Sequence, residues 1–203
     1  MSDGHDVDTA LTYQGSTDAK DYETQKIEFT TGRNTKVKLQ LPVYEDQEKF
    51  EILLKLLREF QAAIDRYDLW TKGSDTVYDF FQQCLRGDAR DAWETSVTDE
   101  DEASWNTNVA DFVENTIGED AHEDQIDYLK GTKKPHHMAV KKWFLRLKTI
   151  KTYLPFLVNG GQGDALDEAE LCKLVVSKIS RVVGGPSSGW QVDMRCKVYL
   201  IRK

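Results

Sequence analysis

Apolar residues recur at helical spacing along most of this chain. Phe50, Leu53, Leu57, Phe60 and Ile64 follow the i, i+3, i+4, i+7 pattern, which predicts an amphipathic helix over about 45–67. The same spacing predicts six further helices around 77–85, 89–97, 105–117, 126–129, 140–154 and 166–183. The chain is therefore predicted to be all-α.

Glycine, aspartate and proline mark the predicted helix ends. Gly73 separates the first helix from the second. Gly87 is expected to end the second helix in the C′ position, and Asp88 to cap the third. Gly118 ends the fourth helix, and Pro155 closes the sixth because it cannot continue the hydrogen-bond ladder.

The N-terminal region departs from this helical pattern. Residues 1–24 are acidic and polar with few large apolar side chains, so they are predicted to be a disordered tail. Residues 27–30 and 36–41 alternate polar and apolar positions around 31–34, which predicts a β-hairpin. A lone hairpin is marginal in water, so it is expected to pack against the helices that follow.

A break in the pattern indicates two domains. The 131–135 segment combines glycine, threonine, two lysines and proline, as is typical of a boundary. We therefore expect one small helical domain over 25–131, which includes the hairpin, and a second over 132–192. Residues 193–203 are expected to be a basic tail.

Charge is distributed unevenly along the chain. The net charge is −8, but residues 129–203 hold 15 basic and 5 acidic residues, against 12 and 30 in the rest. An acidic front and a basic back suit contact with RNA or with an acidic neighbouring subunit. The alternative is that both are ordinary solvated surfaces that keep the protein soluble.

Composition indicates an intracellular protein. The three cysteines are an odd number, far apart and without CxxC spacing, so we expect reduced thiols, not a disulfide framework or a zinc site. No apolar run approaches the roughly 18 residues that a membrane span needs. The predicted location is cytoplasmic, without membrane contact.

Motifs for catalysis are missing from the sequence. His136 and His137 are adjacent, so on a helix they point about 100° apart and do not chelate one metal. The glycine-rich 160–163 segment lacks the following lysine of a phosphate loop. Cys84 follows an apolar helical stripe and is expected to be a core thiol. We expect no enzymatic activity, no cofactor, no metal and no small-molecule substrate.

Basic residues cluster in and just before the sixth predicted helix. They are either an ordinary solvated face or a contact for RNA phosphates or for acidic residues of an adjacent subunit. The residues are Lys133, Lys134, Lys141, Lys142, Arg146, Lys148 and Lys151.

Residues 80–94 resemble the Leu-x-Gly-x-Ala-x-x-x-Trp signature of retrotransposon Gag capsid domains. Leu85, Gly87, Ala89 and Trp93 take the signature positions. In such a turn the leucine ends one helix and the glycine permits the reversal. The alanine then allows close packing, and the tryptophan locks the next helix.

Residues 129–192 are similar in motif order to the Gag polyprotein of copia-like retrotransposons of protists. A helix that contains Trp143 ends in Tyr153, Leu154 and Pro155, and a glycine-rich loop, another helix and a Trp-Gln pair follow. Lys151 or Thr152 stands where the family often has asparagine. The family's zinc knuckle is either missing or encoded further downstream, and the basic ending matches no family pattern.

The resemblance implies a structural capsid protein with N- and C-terminal capsid-like domains. Such a protein self-assembles into a virus-like particle shell and helps to package the element's RNA, so its partners are copies of itself and RNA. By analogy, the first domain makes ring contacts and the second links the rings. The alternative is a domesticated Gag-derived host protein that acts as a peptide- or protein-interaction module, with a peptide groove between helices.

Overall fold

The computed structural model describes residues 22–31, 34–45, 50–133, 139–157, 168–182, 190–192 and 198–200. Within them the fold is mostly helical, with a short antiparallel hairpin ahead of the helices, as the sequence predicts. Most of the tail predicted over 1–24 lies outside the described residues. Thr24 already begins a strand.

The N-terminal hairpin pairs β1 (Thr24–Thr30) with β2 (Lys36–Pro42) in antiparallel register, so that Thr24 lies opposite Pro42. Ile27 on β1 and Leu41 on β2 are buried in the hydrophobic core. Their burial provides the apolar cover that an isolated hairpin lacks.

Helices make up the rest of the core. The first of them, α1, is central, since nine of its 18 residues are buried. The α-helices are α1 (Phe50–Tyr67), α2 (Ser74–Gln82), α3 (Gly87–Ser96), α4 (Trp105–Ile117), α5 (Ala121–Gly131), α6 (Val140–Lys151) and α7 (Glu168–Val182). Two 3-10 turns cover Leu69–Lys72 and Leu154–Phe156.

The junction between α2 and α3 differs from its prediction. Gly87 begins α3 instead of ending α2, which stops at Gln82. The intervening residues pair with the extended segment after β2: Tyr44 N–H donates to the Cys84 carbonyl, and Arg86 N–H donates to the Tyr44 carbonyl, each at 2.9 Å. These bonds satisfy backbone groups that a longer α2 would otherwise have used.

A second hairpin lies near the C-terminus. β3 (Trp190–Val192) pairs antiparallel with β4 (Val198–Leu200). The sequence analysis missed both strands, and the basic tail predicted over 193–203 contains β4. Three-residue strands offer too little alternation to stand out from the surrounding polar residues.

The buried apolar side chains before and after residue 131 belong to one hydrophobic cluster. Trp143, Leu147 and Ile150 of α6 join it together with the α1 and α4 residues. The predicted boundary is therefore not marked by a gap in the core of the described chain. The division into two domains stays a prediction.

Two cysteines have defined states. Cys84 is free and buried, in agreement with a core thiol. Cys172 is disulfide-bonded, so the expectation of reduced thiols is wrong for this residue. None of the helices formed by the described residues is long and apolar enough to cross a membrane.

Candidate functional site

The α2–α3 junction contains the first signature motif. Leu85 and Ala89 are fully buried, and Trp93 is buried one turn after Ala89. Gly87 has a φ of +51°, a left-handed conformation that suits a residue without Cβ. Each of the four signature residues therefore takes a position that its side chain suits.

Trp93 lies in an aromatic cluster that joins α2, α3 and α4. Its ring centroid is 4.7 Å from that of Phe81, 5.5 Å from Phe112, 5.6 Å from Trp105 and 5.9 Å from Tyr78. The first three contacts are edge-to-face, the geometry that aromatic quadrupoles favour. The cluster holds the three helices at fixed angles to one another.

A buried polar network borders this cluster. The Asn108 amide donates to the Tyr78 hydroxyl and to the Asp99 carbonyl, each at 2.9 Å, and the Tyr78 hydroxyl donates to the Asp101 carbonyl at 2.9 Å. Burial raises the pKa of Tyr78, against the hydrogen bond from Asn108. The network ties the acidic 99–102 loop to the core.

The second signature motif is mostly internal. Trp143, Tyr153 and Leu154 are buried, whereas Pro155 is exposed in the 3-10 turn. Pro155 therefore ends the segment at the surface and is not part of the core. Its ring fixes φ just after α6 and stops the helix from continuing.

An ion pair between α1 and α6 crosses the predicted domain boundary. Both terminal nitrogens of Arg146 donate to the Glu51 carboxylate, and both side chains are only 11% exposed. The Tyr153 hydroxyl donates to the same carboxylate at 3.5 Å. A bidentate guanidinium–carboxylate pair is the strongest and most directional ion pair in proteins.

The pair and its burial change the ionisation of its neighbours. Burial lowers the pKa of Arg146, but the hydrogen bond and charge of Glu51 outweigh it and raise that pKa overall. Burial, with the Glu51 charge, raises the pKa of Tyr153 to about 12. Both groups therefore keep their protons throughout the neutral range.

Six of the seven predicted contact residues are described, and their exposure differs. Lys133, Lys141 and Lys142 are exposed, and Lys148 and Lys151 are half-buried. Lys134 lies outside the described residues. Arg146 is turned inward to Glu51, because it follows Trp143 by three residues and precedes Ile150 by four on the buried side of α6. Contact of this basic set with RNA or with another subunit stays a prediction.

Two residues that the sequence analysis missed are Glu51 and Leu145. Glu51 is buried beside the apolar stripe of α1, and no local pattern identifies its partner 95 positions away. Leu145 is 53% exposed and is the one exposed large hydrophobic side chain among the residues whose side-chain burial the structure describes. Leu145 does not share the helical spacing of Trp143, Leu147 and Ile150, and this difference could have predicted its exposure.

A groove of about 310 Å³ lies between α1, α4 and the 3-10 turn after α6. Its walls are mainly apolar, and Trp105 at its side donates from the indole nitrogen to the Gln61 amide oxygen at 3.3 Å. The lining residues are Leu57, Gln61, Trp105, Asn106, Val109, Ala110, Pro155, Phe156 and Leu157.

The described residues offer little reactive chemistry. No three His, Cys, Asp or Glu side chains among them lie close enough together to hold a metal ion. Burial raises the pKa of the Cys84 thiol to about 12, so this thiol is not a nucleophile near neutral pH. The groove has no charged side chain in its lining.

No protein-family model, curated protein or solved structure matches this chain.

Proposed function

We propose that this chain is a non-enzymatic capsid-type subunit, the structural part of a retrotransposon Gag polyprotein. In this proposal it self-associates in the cytoplasm into a virus-like particle shell and helps to package RNA. Its fold comprises capsid-like N- and C-terminal parts, before and after residue 131. Two motifs resemble those of the family, and most of their residues are buried in the fold.

The observation that carries the proposal is the α2–α3 junction. The resemblance implies a leucine that ends one helix, a glycine turn, a small packing residue and a tryptophan that locks the next helix. Gly87 at positive φ, buried Ala89 and Trp93 among four aromatic rings agree with it, whereas Leu85 is buried three residues after the end of α2. A chance match of four residues in the sequence would not require their positions in the structure to agree with the signature.

The surface gives a second line of support. Helices α5 and α6 differ in exposed charge, since α5 has Glu123, Asp124 and Asp127 and α6 has Lys141 and Lys142. Surfaces of opposite charge on one chain favour contacts between unlike faces of neighbouring copies, and such contacts repeat. A shell needs repeated contacts of this kind.

The shared core bears on how the proposed subunit moves. The resemblance implies two domains, whereas in the described chain the Glu51–Arg146 pair and one hydrophobic cluster join the parts before and after residue 131. We therefore propose that the subunit assembles as one rigid block. Its shared core is a difference from the two-domain arrangement that the resemblance implies.

Assembly of the purified chain tests the proposal. The full chain is concentrated at several ionic strengths, its mass is followed by light scattering, and the sample is imaged by negative-stain electron microscopy. We expect oligomers whose size grows with concentration, and RNA that resists nuclease inside them. A monomer at every concentration and ionic strength would contradict the proposal.

The groove favours one other function, an interaction module that holds an apolar peptide. Trp105 and Phe156 offer flat apolar walls, and Gln61 offers an amide for backbone groups. Ala110→Glu places a charge in the groove at an exposed position of α4, and Thr107→Glu is a control that makes the same change at an exposed position of α4 outside the groove. Loss of assembly in Ala110→Glu, with assembly retained in Thr107→Glu, would place the groove in the shell contact. A retained shell with lost peptide capture would favour the module.

A further inference from the structure

The outward face of α6 combines two cations with an apolar centre. Lys141 and Leu145 are four residues apart and therefore share one side of the helix, with Lys142 next to them. All three are exposed. The packing of α6 onto the core uses other residues, namely Trp143, Phe144, Leu147 and Ile150.

The exposed side of α6 places one apolar side chain, Leu145, beside two lysines. An apolar centre surrounded by polar side chains is the usual anatomy of a contact patch. Lysine stems extend the apolar area around Leu145 while their ammonium groups remain in water. Among the residues whose side-chain burial is described, no other large hydrophobic side chain is as exposed.

The outward face of α5 has the opposite charge. Ala121, Gln125 and Leu129 of α5 point to the core. Five exposed carboxylates occupy the other side and the turn before it, and none has a salt bridge with another described residue. They are Glu119, Asp120, Glu123, Asp124 and Asp127.

The two faces agree in length as well as in charge. Asp120 to Asp127 and Lys141 to Lys148 each span seven residues, or roughly 10 Å at 1.5 Å per residue. Cations on one helix can therefore lie opposite carboxylates on the other.

We infer that the α6 face of one copy docks on the α5 face of a second copy of this chain. The inference rests on the proposed function and names the two surfaces that meet. Two such contacts between the same pair close a dimer, whereas one contact to each neighbour extends an assembly.

RNA is the less suitable occupant of the α6 face. Arg146 is engaged with Glu51, which leaves Lys133, Lys141 and Lys142 as the fully exposed members of the predicted basic set among the described residues. Leu145 offers nothing to a phosphate. The chain also has a net charge of −8, which opposes nucleic acid over longer distances.

A charge exchange tests the inference. One variant carries Lys141→Glu and Lys142→Glu, and a second carries Glu123→Lys and Asp124→Lys. A third carries all four changes. The matched control for the first variant is Arg66→Glu with Lys72→Glu. It makes the same change of charge as that variant, at exposed positions of α1 and the following turn. Thermal melting establishes that each protein is folded.

Self-association is measured by sedimentation and light scattering at low and high salt. We expect each two-site variant alone to associate at least roughly tenfold more weakly than the original chain, because like charges then face each other. The third variant, and an equal mixture of the first two, should recover association. Added salt should weaken it, since the charges are exposed.

The outcomes separate the two proposals. If the original chain assembles and the two-site variants assemble equally well, the docking inference fails and the capsid proposal stands. If the original chain never self-associates, both fail. If Lys141→Glu with Lys142→Glu loses binding to single-stranded RNA but assembles normally, the α6 face is an RNA contact and the inference is wrong.

Discussion

Breaking the Glu51–Arg146 pair should strongly destabilise the fold. Both side chains are 11% exposed, and both terminal nitrogens of Arg146 donate to the carboxylate. Arg146→Met leaves Glu51 buried with only the Tyr153 hydroxyl, 3.5 Å away, as a described donor. Leaving one charge of a buried pair uncompensated costs about 3–5 kcal/mol.

That cost is large compared with the total free energy of unfolding. Domains unfold with free energies of about 5–15 kcal/mol, so Arg146→Met should remove roughly a fifth or more of the stability. Glu51→Leu should lower it by a similar amount. The double variant should recover most of the loss, because apolar side chains of similar volume replace a buried pair at little net cost.

Urea unfolding followed by tryptophan fluorescence measures these free energies, and the double-mutant cycle gives the coupling. Lys38→Ala is the matched control, because its ion pair with Glu28 is 70% and 59% exposed and should contribute no more than about 1 kcal/mol. Single variants that lose less than about 1 kcal/mol, or losses that simply add, would refute the reasoning.

Three further changes test local features. Gly87→Ala should cost about 1–2 kcal/mol in urea unfolding because of its positive φ, whereas Gly131→Ala, which meets no neighbour, should cost nothing. Gln125→Leu should raise the melting temperature, because the buried amide of Gln125 has no hydrogen-bond partner among the described residues. A lower melting temperature would contradict this. Tyr153 keeps its proton to a pH of about 12 in the native state, but the unfolded chain loses it near pH 10. Stability should therefore fall from pH 10 to 12, and less steeply in Tyr153→Phe; equal slopes would show that Tyr153 does not contribute.

The sequence predicts the helices well wherever local spacing decides burial. In α4, Trp105, Val109, Phe112 and Val113 recur at helical spacing, and all four are buried. The helix ends at Gly118, which has a φ of +107°, as the sequence predicts. Apolar residues on one face and a glycine at the end leave few alternatives, so no distant contact is needed to choose between them.

Features that depend on distant partners escaped prediction. The end of α2 at Gln82 depends on Tyr44, whose backbone pairs with Cys84 and Arg86. The direction of Arg146 depends on Glu51, which is 95 positions away. A helical pattern reports the side of the helix on which a residue lies, but not the charge that meets it there.

Stability and the proposed assembly use opposite sides of α6. Arg146 faces inward with Trp143 and Ile150, and Lys141 and Leu145 face outward. Substitutions on the two sides share no partner, so their effects should be independent. Arg146→Met should therefore lower the free energy of unfolding and increase hydrogen exchange in α6, while Leu145→Ala should weaken self-association and leave the unfolding curve unchanged. If Leu145→Ala destabilises the monomer as much as Arg146→Met does, the outward face belongs to the fold and the docking surface must lie elsewhere.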